Sequence, residues 1–420
     1  MKFEFYFYWV AIIMLSHGAF FSWLLQGSLL GVWRQVLWGM GLLIVALNMK
    51  NIVCHSPRSV QLIKHQTCFA LIIFVLSLFS WALLGTNLVR LGYAFWLYFS
   101  GVPFMLFPYF YLFRKSTPAQ FFNVFVFLGT FLSVGILVDY LLGGKITVAL
   151  GVSGFKTTDD IRESGRYCFL SEAPTTFSVY YVFCMICVWW KLYISKSQLH
   201  KFLLFLLLFL YIVGAWFTGS RQMVAVLGGS FMVIFTYYTL FVRDTKKYLL
   251  PILLIVCLGG GTLYAWIHKD EAYRARYSSS VISKDSRTIL WEKGYQKTFG
   301  SPDWGVFLYG KGVGLTQGQK ALKGEPLDSH YECTFISRML DVGVIGVIML
   351  LYPIFMFLRQ ASVHRFSDCL LSCFFVCYFF ISLVSPNGTH QTTQMVVFLV
   401  LGLLLNKKEF FTKDENEYTY

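Results

Sequence analysis

The chain is dominated by long apolar runs almost free of charge. Phe202–Tyr211 is ten consecutive apolar residues. A helix needs about 20 mostly apolar residues to cross about 30 Å of hydrocarbon. Twelve stretches approach that length: 5–25, 35–50, 67–85, 94–113, 120–142, 173–191, 202–218, 222–241, 248–267, 333–357, 369–384 and 393–406. Their apolar residues run continuously instead of alternating, which excludes a membrane barrel. Hydrophobic residues make up 57% of the 420 and charged residues 13%. Soluble domains carry about 25% charge, so this chain could not cover a soluble surface. A cytosolic enzyme, a disordered chain and a secreted disulfide scaffold are excluded. The expected fold is an all-α polytopic integral membrane protein, one domain over 1–420 with about twelve helices. Lys2 precedes the first run and no small-residue cleavage site follows it, so that helix is expected to be retained.

The net charge of +14, from 35 Lys+Arg against 21 Asp+Glu, would suggest nucleic acid in a soluble protein. Here it reports orientation, because short cytoplasmic loops collect Lys and Arg. One set of short segments, from Lys2 through Arg114 and Lys115 to Lys407, Lys408 and Lys413, holds 17 of them; the opposite set holds Arg34, Arg90 and Arg221. Both termini, including the tail 407–420, are therefore expected in the cytoplasm. Two long segments, 143–172 and 268–332, fall on the outer side and carry 14 Lys/Arg. Long translocated loops escape the rule. Most cysteines lie in apolar spans and behave as small hydrophobes. Cys184 and Cys187 lack the second pair or His of a zinc site, so no metal is expected. Cys168 and Cys333 alone lie near the outer face, which leaves a bridge between them open.

Ionisable residues beside a span are functional candidates, and four outer clusters stand out. Gly219-Ser220-Arg221-Gln222 is a tight turn between two spans; Arg221 serves either as a headgroup anchor or as a phosphate fork. Arg162 to Arg166, followed by Ser171-Glu172-Ala173-Pro174, closes the first long loop. Glu172 near Pro174 also suits an ordinary helix start. In the large loop Arg287 leads through Trp291 to Tyr309-Gly310-Lys311-Gly312-Val313-Gly314, a Gly-rich turn that lacks the P-loop pattern. Asp328-Ser329-His330-Tyr331-Glu332 precedes Cys333–Phe357 and offers a general base; Arg338 and Asp341 follow it. Several arginines and a base on one side suit an anionic substrate, a diphosphate above all, held at the bilayer surface.

In order and sidedness these motifs resemble the O-antigen polymerase and O-antigen ligase superfamily of bacterial surface-polysaccharide assembly. Gly219-Ser220-Arg221 looks like its Gly-Ser-Arg element. Arg166…Glu172-x-Pro174 and Arg287…Trp291…Tyr309-Gly-x-Gly-x-Gly314 are similar to its loop segments. Glu332…Leu340-x-x-Gly343-x-x-Gly346 is similar to its final motif. Ligases place a His eleven residues before the first of those glycines; here that position is Glu332, with His330 two residues earlier. The departure favours a polymerase and leaves open which of the two is the base. The resemblance implies a GT-C-like inverting glycosyltransferase, metal-independent and without cofactor, in the bacterial cytoplasmic membrane with its active site facing outward. It implies undecaprenyl-diphosphate-linked glycans as donor and acceptor, the bilayer as environment, a chain-length regulator as partner, and no nucleic acid. On this reading Glu332, His330, Arg221 and Arg287 are catalytic, and Arg166, Glu172, Lys311 and Arg338 bind diphosphate or glycan. The alternatives are a ligase acting on a lipid acceptor, and a lipid-linked oligosaccharide flippase or other transporter. Transporters bind near the midplane through broken helices related by repeats, and no internal repeat is visible.

Overall fold

The computed structural model describes residues 2–25, 32–84, 87–113, 117–152, 156–172, 177–241, 286–300, 304–313, 333–360, 365–385 and 390–415. Among them every regular element is a helix. Seven helices are long and apolar enough to cross a membrane, or eight if one bent pair counts as a span. Three more, Trp33–Leu47, Ser178–Ile194 and Gln391–Leu405, are apolar but shorter. These cover eleven of the twelve apolar stretches; 248–267 lies outside the described residues.

The chain opens with α1 (Lys2–Ser16) and α2 (Gly18–Leu24), bent by 92° at His17. Here the backbone amides of Ala19 and Phe20 both donate to the Leu170 carbonyl, at 3.2 and 3.4 Å. Gly18 makes this possible, since a Cβ there would stand 2.8 Å from the Glu172 carboxylate. Helices α3 (Trp33–Leu47), α4 (Met49–His55) and α5 (Pro57–Leu84) follow. α5 begins ten residues before the expected 67, because helical hydrogen bonding continues past Arg58 and Lys64 where the apolar run stops. α6 (Leu88–Phe99) passes through a 3-10 turn, Val102–Leu106, into α7 (Phe107–Phe113). Pro103 in that turn supplies no amide hydrogen.

After α8 (Pro118–Leu141) the first long loop holds two short helices, α9 (Lys145–Ala149) and α10 (Thr158–Ser164). A Thr157/Asp160 capping box starts α10, and the amides of Lys156 and Thr157 hold the Asp160 carboxyl below its usual range. Helices α11 (Ser178–Ile194), α12 (Gln198–Phe217) and α13 (Arg221–Phe241) complete the first half. The second contains α14 (Ser286–Phe299), α15 (Trp304–Tyr309), α16 (Thr334–Gln360), α17 (Phe366–Val384), α18 (Gln391–Leu405) and α19 (Lys407–Glu415).

α11 forms the centre. Every residue from Ser178 to Trp190 is buried, and α8, α12, α13, α17 and α18 pack around it. The outer helices do the reverse: α5 presents Leu71, Phe74, Val75, Leu78 and Phe79 to its surroundings. Such a continuous exposed apolar face suits lipid contact. At the end of the bundle away from the long loops, Phe410 and Phe411 of α19 are buried against Phe121, Phe122 and Trp190. Cys168 and Cys333 are both free thiols. Cys168 packs with Ala19 and Val152, and Cys333 with Ile336 and Leu340, so the bridge left open by the sequence does not form.

Candidate functional site

Three polar assemblies lie at the end of the bundle where α13, α16 and α18 begin. The first is the α12–α13 turn. Gly219 takes a φ of +59°, which favours glycine. The Thr218 hydroxyl donates to the Ala215 carbonyl at 2.6 Å and receives the Ser220 amide at 3.3 Å. Ser220 then caps α13, its hydroxyl accepting from the Met223 amide at 3.3 Å. The Gly-Ser pair is thus what allows so tight a reversal, and it fixes Arg221 on the first turn of α13, half-buried. The Tyr167 amide donates to the Phe217 carbonyl at 3.3 Å, and the Tyr140 ring lies 5.1 Å from Tyr167 and 4.4 Å from Phe217. The Arg166 segment and the Arg221 turn, separate motifs in the sequence, are therefore neighbours.

The second assembly surrounds a break in α16. Val342 and Gly343 leave helical geometry, Gly343 with φ +64° and ψ −153°, a region open essentially to glycine alone. A Cβ on Gly343 would collide with the Leu308 backbone, and one on Gly310 would stand 2.5 Å from the Asp341 carbonyl. The two glycines let the Trp304–Val313 segment lie backbone against backbone on the break. The Lys311 amide donates to the Leu340 carbonyl at 2.6 Å, and the Val313 amide to the Ser80 hydroxyl at 3.0 Å. The Gly-rich loop and the Gly-x-x-Gly helix are thus one structure. The Lys311 side chain is exposed; its backbone makes the contact.

One turn before the break, Arg338 is 3% exposed. Its guanidinium carbon lies 3.5 Å from the centre of the Tyr98 ring, and the Tyr98 hydroxyl donates to Asp341 Oδ2 at 2.7 Å. Arg338 Nε and Nη1 have no hydrogen-bond partner. Trp291 of α14 packs on Cys333, Ile336 and Leu340, and Arg287 precedes it by one helical turn. Glu332 and His330 lie outside the described residues, as does the side chain of Arg287.

The third assembly was not legible as a unit. Glu172 forms an ion pair with Arg34 and lies 2.8 Å, through Oε2, from His390 Nε2. Arg34 also donates to the Ser22 hydroxyl at 3.3 Å, and its carbonyl accepts from Gln391 Nε2 at 3.3 Å. His390 caps α18, its Nδ1 accepting from the Thr392 amide at 3.3 Å. That bond requires a lone pair on Nδ1 and leaves Nε2 to donate to Glu172. Burial, reinforced by the Arg34 charge, pushes the His390 pKa down to about 3. In the sequence Arg34 stands only among the few basic residues of the outer short loops, and His390 belongs to none of the four clusters. The polar run His390-Gln391-Thr392-Thr393-Gln394 ahead of an apolar stretch was the available signal, and its last four members are all buried.

No protein-family model matches the chain, and no curated protein matches it in sequence.

Proposed function

We propose that the chain is a membrane glycosyltransferase that polymerises undecaprenyl-diphosphate-linked oligosaccharide repeats at the outer face of a bacterial cytoplasmic membrane. It has about twelve spans and both termini inside. The observation that carries the reading is Arg338. A buried cation costs several kcal/mol unless its charge and donors are matched. Asp341 on the next turn supplies charge, while two guanidinium nitrogens keep no acceptor. Phosphate oxygens fit such a fork. Arg338 stands six residues after Glu332 and beside the Gly310–Val313 segment.

In this reaction a sugar hydroxyl of the acceptor attacks the anomeric carbon of the donor. The new carbon–oxygen bond forms as the carbon–oxygen bond to the diphosphate breaks, with inversion, and undecaprenyl diphosphate leaves. Arg338, Arg221, Arg287, Arg166 and Lys311 stabilise the charge gathering on the leaving group. Glu332 or His330 accepts the hydroxyl proton, a contribution of about 10²- to 10⁴-fold.

The test is gene deletion with complementation by Arg338→Ala, Arg221→Ala, Arg287→Ala, Glu332→Ala and His330→Ala, followed by glycan electrophoresis. A polymerase variant leaves single repeats; a ligase variant lets lipid-linked polymer accumulate. Wild-type chain lengths from every arginine variant overturn the site. A transporter is the second reading, favoured by the interruptions at His17, at Val102–Leu106 and at Gly343. Elongation of a lipid-linked repeat by purified protein in detergent, without a gradient, decides for the enzyme.

A further inference from the structure

Arg338 and Asp341 stand three residues apart on one turn of α16, the spacing at which opposite charges on a helix meet. A buried guanidinium beside a carboxylate should close on it, since a charge-assisted fork is the strong contact open to both. Here Arg338 Nε and Nη1 stay without a partner, and the residue that touches both side chains is Tyr98 of α6. Its ring centre lies 3.5 Å from the guanidinium carbon, and its hydroxyl donates to Asp341 Oδ2 at 2.7 Å. Tyr98 is 2% exposed and packs with Ile73, Leu91, Val313 and Val342. The break in α16 and the Gly310–Val313 segment therefore hold the ring in place. A second tyrosine within reach of the Arg338 charge, Tyr378 of α17, is engaged elsewhere, its hydroxyl hydrogen-bonded with Gln394.

Resting on the reading that Arg338 holds the diphosphate, we infer that Tyr98 is a positioning residue for it. Its hydroxyl occupies the acceptor that Arg338 would otherwise take, and its ring fixes the plane of the guanidinium, so Nε and Nη1 stay available to the ligand. The two contacts use different parts of one side chain. The ring face attracts the cation without consuming any of its N–H groups, while the hydroxyl answers the carboxylate with a neutral donor. The charges of Arg338 and Asp341 remain near enough to balance in a buried place, and the hydrogen bonds of the arginine are not spent on its neighbour. A phenylalanine at this position would keep the ring contact and lose the hydroxyl. The carboxylate would then turn to the nearest strong donor, which is Arg338, and the fork would close.

The experiment measures binding of undecaprenyl diphosphate, together with Tm, for the purified full chain in nanodiscs as wild type, Tyr98→Phe, Arg338→Lys and the double variant. Tyr98→Phe is expected to weaken binding at least about tenfold, the loss of one hydrogen bond to a charged group. Its Tm does not fall, because the new contact between Arg338 and Asp341 replaces the one removed. Arg338→Lys weakens binding as well, and Tyr98→Phe adds nothing to it, since an ammonium presents no fork to close. Unchanged affinity in Tyr98→Phe overturns the inference and leaves the diphosphate site standing. A fall in its Tm does the same, marking a packing role. So does a further loss of affinity in the double variant, which shows an action that does not pass through Arg338. Wild-type protein that fails to bind the lipid, or wild-type affinity in Arg338→Lys, overturns the diphosphate reading itself.

Discussion

Two of the polar assemblies at this end of the bundle, one half-buried and one buried, are built from similar residues and are finished differently. In the Arg34–Glu172–His390 cluster each group answers another: both carboxylate oxygens have a partner and both ring nitrogens of His390 are used. It ties the α2–α3 region, the end of the first long loop and the start of α18 together. Around Arg338 the charges balance but hydrogen bonds are missing. The completed cluster adds to the Ala19 and Phe20 bonds to Leu170 in holding these elements together; under the proposed function the incomplete one is matched to a ligand. Under that proposal the contrast assigns stability to the first and recognition to the second.

The largest effect should come from the break that seats the second assembly. Gly343→Val places a branched side chain at φ +64° against the Leu308 backbone, at a cost of at least about 3 kcal/mol. Polymer is lost and Tm falls sharply in a fluorescence melt. Arg338→Lys then separates charge from shape: the guanidinium stack on Tyr98 disappears while the cation remains. Polymer should fall at least about tenfold on a glycan gel, with Tm little changed. Glu172→Ala should do the opposite, lowering stability by about 1–3 kcal/mol after solvent screening of a part-exposed pair while chain length holds. Polymer loss without destabilisation in Glu172→Ala would erase the contrast. The same clamp predicts a pH effect. His390 has a folded-state pKa of about 3, below the ~6.5 of an unfolded chain. Its contribution to stability is present above about pH 6.5 and is lost as pH falls toward 3. Tm of the wild type should drop between pH 7 and 5, and His390→Gln should flatten that slope. Lys311→Ala should matter least: the backbone amide holds the segment, so Tm is unchanged and polymer shortens modestly.

The positions of the helices were legible because a membrane-crossing run is a local property, written into consecutive residues such as Phe202–Tyr211. The arrangement of the site was legible only in part. Gly219, Gly310 and Gly343 announced places where backbone must turn or approach closely, and each does so. Which backbones meet there is decided by packing, so the joining of the Gly310 loop to the Gly343 break could not be read from spacing. Arg34 and His390 were invisible as partners for the same reason: each looks like an isolated boundary residue until α3 and α18 are brought to Glu172. The bend at His17 falls where Ser16-His17-Gly18 interrupts the apolar run, a mark too short to tell a bend from a polar residue inside a span. Unmatched polar atoms are likewise a tertiary fact, since Arg338 and Asp341 are spaced like an ordinary helical ion pair.

The enclosure of α11 carries a consequence for how this chain is made. A helix leaving the translocon first meets lipid, yet α11 ends with protein on every side. Two of the helices that enclose it, α17 and α18, are synthesised long after it. Its place must be held open, or taken late, until the final spans have been inserted. Truncation anywhere before Leu405 would therefore strip the central helix of part of its casing rather than merely shorten the protein, and quality control should see such fragments as unassembled.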